Sequence, residues 1–499
     1  GTMDVLSGVL YGYSVALQPL NLLYCYFGVL IGTLVGVLPG FGPAAAIALL
    51  LPSTFHVSPV AATIMLAGIY YGAMYGGSTT SILVNIPGEA ASVVTCLDGY
   101  KMAQQGRAGP ALGISALASF IAGTFSIVAL TFLSPVLANL ALRFGPPEYF
   151  SLIVLGLTIL AYLAGGSMVK ALMMAALGII LSSIGMDIIS GSYRFTYGFL
   201  VLSDGLGLIP VVMGLFGLAE VFSNLEEKLG REIFGQKIKG LLPTCQDWKD
   251  AWGAITRGSL LGFFLGILPG GGAIIASFTS YAVEKKLSKH PEKFGSGVIE
   301  GVAGPEAANN AAAGGAFIPL LTLGIPANPV MAILLGGLMI NGLQPGPLLI
   351  KQAPDLFWGV IASMYLGNAM LLILNLPLIG IWVKVLRVPY HILFPLIILF
   401  CLVSSYSLNN NMGDVTIMVF FGVAGYLIKK FGYEGAPLIL ALVLGPMLEE
   451  ALRQSLIISH GSFAVFFESP ISAGLLVLAL SLLILPWITH RRPALPSEA

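Results

Sequence analysis

The heptapeptide Gly36-Val-Leu-Pro-Gly-Phe-Gly42 returns 230 positions later as Gly266-Ile-Leu-Pro-Gly-Gly-Gly272. Each copy lies inside a long apolar run. Proline withdraws a backbone donor and glycine admits unusual dihedrals, so each copy is predicted to interrupt a helix. In hydrocarbon, freed backbone groups persist only against protein or a water-filled cavity. Matching interruptions in two halves of a membrane chain point to a transport site.

Composition supports the membrane setting. The 499 residues are 57% hydrophobic and 9% charged, with a mean hydropathy of +0.92. Soluble domains carry about 25% charged residues, so an ordinary soluble fold is excluded. Spans of roughly 20 apolar residues fit about ten to fourteen times, half-spans included. The zero net charge gives no sign of nucleic-acid binding. Cys25, Cys96, Cys245, Cys401 and the five histidines are scattered, which argues against a disulfide framework or a zinc site, and no cofactor is expected. Met3 to Leu20 lacks the basic start and cleavage site of a signal peptide, so none is expected there.

The chain divides into a first membrane repeat (1–222), a hydrophilic amphipathic linker (223–252), a second membrane repeat (253–456) and a C-terminal helix with a cytoplasmic tail (457–499). The linker is rich in charge, from Glu226 to Asp250. Pro326 occupies in the second half the place of Pro87 in the first, 239 positions on. Basic residues mark cytoplasmic loops. Lys285, Lys286, Lys289 and Lys293 match a loop, Thr54 to Ser58, that has no basic residue. Lys429 and Lys430 likewise match a region, Ser182 to Asp187, that has none, whereas Arg143 and Arg387 depart from this alternation. The expected fold is therefore an all-α polytopic membrane protein of two inverted-topology repeats, with broken helices or re-entrant hairpins. Asp98-Gly-Tyr-Lys101 with Arg107 reads as a solvated turn.

Broken helices present amides at one half-helix start, suited to an anion, and carbonyls at the other half-helix end, suited to sodium. The candidate substrate-binding residues at the breaks are Gly40, Gly42, Gly270, Gly271 and Gly272. The polar stretches downstream add Ser78, Thr79, Thr80, Asn85, Pro87, Gly88, Asn309, Asn310, Pro326 and Asn328. The sodium candidates are Gly36, Pro39, Gly266, Pro269 and Thr322. For each glycine the competing role is close helix packing, and for each hydroxyl or amide it is an interhelical hydrogen bond. Glu89 and Glu306 adjoin these stretches, and charges at membrane depth are costly enough to mark function. Asp187, Asp204, Glu220 and Asp414 fall near helix ends, where solvated positions are expected. Neither core stretch contains lysine or arginine, so helix amides and a co-bound cation would offset an anionic substrate. That favours cation coupling over an anion channel. No phosphate-binding loop, H-E-x-x-H or G-x-S-x-G pattern is present, so neither ATP hydrolysis nor an intramembrane hydrolase is expected.

The two halves together resemble the large membrane subunit of the tripartite tricarboxylate transporter family. The resemblance runs through Gly36 to Gly42, Tyr71 to Glu89, Asp98-Gly-Tyr-Lys101, Gly301 to Asn310 and Phe317 to Pro326. It implies a bacterial inner-membrane secondary transporter for tricarboxylates or related carboxylates such as citrate, driven by a sodium or proton gradient. It also implies two partners, a small membrane subunit and a periplasmic substrate-binding protein. An elevator-like movement would suit paired broken helices. A passive channel or membrane scaffold is the competing class.

Overall fold

In this computed structural model, residues 4–38, 41–163, 167–227, 238, 240–270 and 272–489 are described. The first half opens with α1 (Val5–Ala16), α2 (Pro19–Val37), α3 (Pro43–Leu50), α4 (Pro59–Val84) and α5 (Val93–Gln104). The long α6 (Ala108–Ala141) leads to α7 (Pro146–Leu163) and α8 (Met168–Ser182). A two-residue hairpin pairs Gly185–Met186 with Tyr193–Arg194. Then α9 (Leu208–Val212) passes through a π-helical turn, Met213–Leu218, into α10 (Ala219–Glu227).

The second half begins with α11 (Cys245–Ile267), α12 (Gly272–Leu287), α13 (Glu300–Gly315), α14 (Phe317–Leu323) and α15 (Pro329–Ile340). It continues with α16 (Leu349–Gln352), α17 (Pro354–Asn375), α18 (Ile379–Val385), α19 (Tyr390–Asn409) and α20 (Met412–Lys430). It closes with α21 (Gly435–Ile458), α22 (Val465–Glu468) and α23 (Pro470–Thr489). Among the described residues, nine helices are long and apolar enough to cross a membrane, and five shorter apolar helices accompany them.

Two helix pairs organise the interior, and glycine decides both. Gly28, Gly32 and Gly36 line one face of α2, and a Cβ on any of them would collide with the carbonyls of Met65, Ile69 and Ala73 in α4. Gly258, Gly262 and Gly266 do the same on α11 against Gly304, Ala308 and Ala312 of α13. These two stripes are again 230 positions apart. Bilayer helices associate without a hydrophobic driving force, so such backbone-to-backbone approach is what joins them. Every residue of α4 from Ala61 to Val84 is buried, as is every residue of α13 from Gly301 to Gly315. With no lipid-facing side, α4 and α13 can carry the polar residues that lipid would reject.

The structure corrects two sequence expectations, the solvated readings of Asp98 and of Asp187 with Asp414, and places the expected ends of the linker. Residues Asp98 to Lys101 are helical, and Asp98 is fully buried. Its Oδ1 accepts the amides of Gly295, Gly297 and Val298 at 2.8–2.9 Å, and Tyr281 donates to Oδ2 at 2.9 Å. The expected ends of the linker, 223 and 252, fall inside α10 and α11. There Thr244 and Asp247 form a capping box that starts α11, and Asp247 pairs with Arg107 at 2.5 Å. Asp187 and Asp414 are buried rather than solvated. Asp187 accepts from Arg453 at 2.8 Å, and Asp414 from the Asn409 amide at 2.9 Å.

Candidate functional site

Both interruptions begin in the same way. A residue before proline is driven out of helical geometry, and Leu38 (φ −83°, ψ 108°) and Leu268 (φ −72°, ψ 128°) are both extended. The chain re-enters a helix through Gly42 (φ +56°) and Gly272 (φ +55°), left-handed positions open to glycine. Space lies around each, with nothing within 4 Å of where a Cβ would sit. Pro39, Gly40 and Gly271 lie outside the described residues.

The polar stretches downstream also share a frame. Helix α4 ends on left-handed Asn85 (φ +58°) followed by Ile86-Pro87, and α14 ends on left-handed Gly324 (φ +69°) followed by Ile325-Pro326. Four residues past each left-handed position stands an N-cap side chain. Glu89 caps the short 3-10 turn Ala90–Ser92, and Asn328 caps α15.

Each loop is tied to its interruption. Thr80 Oγ1 donates to the carbonyl of Val37, the last residue of α2, at 2.6 Å, and Gly88 backs onto the carbonyl of Gly36. In the second half the Gly270 amide donates to the Ala327 carbonyl at 2.8 Å. Gly270 (φ +82°) also lies against Leu160 of α7, and Pro269 against Gly156.

Around the first loop a buried polar cluster forms between α4, α5 and α13. Glu306 Oε2 accepts from Ser78 at 2.5 Å, and Oε1 from Thr95. Glu89 accepts from the Ala91 amide at 2.8 Å and from Asn309 Nδ2 at 3.3 Å. Ser81 bonds to the Ser92 hydroxyl at 3.0 Å and braces the turn. Asn310 donates to Ser119 of α6 at 2.7 Å and to the Glu306 carbonyl at 3.0 Å. Beside it, a cavity of about 10 Å³, room for one water, is lined by Tyr71, Tyr75, Asn310 and Asn368.

The remaining candidates are placed differently. Asn328 belongs to the second loop, donating to Tyr70 at 3.0 Å. Tyr70 and Ser78, which bond to Asn328 and Glu306, are eight residues apart, about 12 Å along α4. Pro326 is buried beside Asn328, Pro87 is half-buried, and Asn85 is exposed at its loop. Thr79 is buried in α4, and Thr322 donates to Ile318 within its own helix at 2.7 Å. Gly36 and Gly266 sit in the packing stripes. Thr95, Ser92, Ser119 and Tyr70 join the site without having been marked by the sequence. Ser92 closes a local capping box with Glu89, but the partners of the others lie on other helices, so local pattern gave no signal for those.

No ion pair among the described residues involves Glu89 or Glu306. Interrupted helices around a buried cluster that lacks lysine and arginine describe a multi-pass membrane protein with an internal polar site. Residues 22–440 match the family model described as the tripartite tricarboxylate transporter TctA family. The chain belongs to that family: it is a subunit of a multi-subunit transporter, not an enzyme. Two proteins of Agrobacterium vitis are similar to it. One, described as an uncharacterized 52.8 kDa protein in the TAR-I ttuC' 3' region, is 52% identical over 98% of both chains. The other, described as an uncharacterized protein in the TAR-II ttuC' 3' region, is 58% identical over 46% of this chain and 97% of its own. No solved structure matches.

Proposed function

We propose that the chain is the carrier subunit that imports tricarboxylates or related carboxylates across a bacterial inner membrane, coupled to a sodium or proton gradient. A periplasmic binding protein delivers the substrate, and a small membrane subunit completes the complex. The observation that carries this reading is the pair of interruptions, alike in conformation and each tied to a buried polar loop. Main-chain amides at Gly42 and Gly272, which stand beside open space, supply uncharged donors for a carboxylate, and Ser78, Thr80, Asn309 and Asn310 would exchange their present partners to join them. The absence of lysine and arginine from the cluster leaves a co-transported cation to balance the substrate. The matched halves suit inverted repeats and an elevator-like movement of the site.

The test is uptake of labelled citrate-like acids into proteoliposomes, with and without a sodium gradient, a pH gradient and the binding protein. Accumulation against a concentration gradient is expected under one of the ion gradients. Flux that ignores both gradients would instead favour a passive anion channel.

A further inference from the structure

Glu89 and Glu306 accept hydrogen bonds from their neighbours, yet nothing in the carboxylate-binding reading uses their charge. A carboxylic substrate brought next to them would meet like charge. Glu306 is 1% exposed and Glu89 7%, and a buried charge without a partner is among the costliest arrangements in a protein. The ionisable groups facing the pair are the Cys96 thiol of α5 and the Tyr70 phenol of α4. Neither can supply positive charge. Farther out are Asp98, Glu300 and Glu284, and Arg257 beside them is already engaged by both oxygens of Glu284 at 2.6 and 2.8 Å.

A second observation points to what the pair takes up. Asn309 is fully buried and turns its amide nitrogen toward Glu89, while its Oδ1 has no hydrogen-bond partner. Turning that amide over would set its oxygen against Glu89, where it needs a donor, and a carboxylate cannot be one. A protonated carboxyl can. We propose that Glu306 and Glu89 together form the binding site of the coupling cation, and that this cation is a proton. The proposal rests on the carrier reading for its role in transport, but not for the existence of the site.

Donor geometry separates a proton from sodium. A metal ion needs converging lone pairs, whereas the carboxylate oxygens here face O–H and N–H groups from Ser78, Thr95, Ala91 and Asn309. A hydroxyl, by contrast, can reverse its bond. Ser78 Oγ already lies 3.3 Å from the Met74 carbonyl, so its proton has a second acceptor when Glu306 becomes an acid. On uptake an O–H bond forms on one carboxylate oxygen. On release it breaks and the proton passes to water on the opposite side.

Infrared difference spectra of the full chain in lipid, recorded between two pH values, test the site without any substrate. A carboxyl band that appears on acidification is expected in the wild type and is expected to be lost in Glu306→Gln or Glu89→Gln. Identical difference spectra in wild type and both variants would overturn the proposal. Should a Gln variant fail to fold, Glu306→Asp should shift the band, and an unshifted band would count equally against it. In proteoliposomes of the complete transporter, pH-driven accumulation should be lost in the Gln variants. Wild-type accumulation driven by sodium alone would overturn the coupling role. If the wild type moves no carboxylate at all, the carrier reading falls, while the infrared band still decides the proton site.

Discussion

Thr80 Oγ1 and the Val37 carbonyl lie 2.6 Å apart, so a hydroxyl from α4 takes over the acceptor that α2 frees where it stops. An interrupted helix at this depth must satisfy such groups internally. Thr80→Val keeps the shape and removes the donor, leaving a buried carbonyl unpaired at a cost of about 1–3 kcal/mol. Thermal denaturation in detergent should show a lowered midpoint, with reduced carboxylate uptake, and Thr80→Ser should restore both. Unchanged stability in the valine variant would show that the carbonyl has another partner.

The glycine stripes make a sharper contrast. Gly262→Ala places a methyl group against the backbone of Ala308, so expression of folded protein should fall steeply. Gly474→Ala in α23 meets nothing within 4 Å. With less backbone freedom to lose, it should be neutral or stabilising by about 0.5–1 kcal/mol. Size-exclusion profiles of the two variants check this, and equal behaviour would remove the stripe as the reason for those glycines.

Asp98 gathers three amides of the segment between α12 and α13 onto one oxygen. Asp98→Asn replaces one acceptor oxygen by a donor and should loosen that segment. Limited proteolysis at Lys289 and Lys293 should accelerate in the variant. A digestion rate equal to the wild type would mean that other contacts hold the segment.

Asp187 supplies a pH dependence with a defined sign. The Ser190 hydroxyl, and then Arg453, hold its carboxyl well below the usual aspartate range. A group whose value is depressed on folding favours the folded state above its ordinary value, about 3.9. That contribution drains away as the pH falls further toward the folded-state value. Asp187→Asn should therefore lower stability at neutral pH and flatten the acid side of the melting profile. A wild-type-like acid profile would exclude this carboxyl as a contributor.

Local chemistry made much of this architecture legible. The Leu-Pro-Gly interruptions, the Ile-Pro loops and the helical character follow from residue types whose conformational preferences are strong wherever they occur. The destination of Gly36 and Gly266 was not legible, because a glycine that receives a ligand and one that receives a helix both need the same missing side chain. Their spacing with Gly28 and Gly32, and with Gly258 and Gly262, was the available clue to packing. The contact between Thr95 and Glu306 bridges 211 positions and is created only when α5 meets α13. Asp98 looked solvated for the same reason, since the amides that surround it arrive from the other half of the chain.

The seam between α2 and α4 has a mechanical consequence. Where two backbones touch through successive turns, neither helix can roll or slide without lifting off the other, so the two travel as a single strut. Displacing α4 would therefore carry the end of α2 along with it.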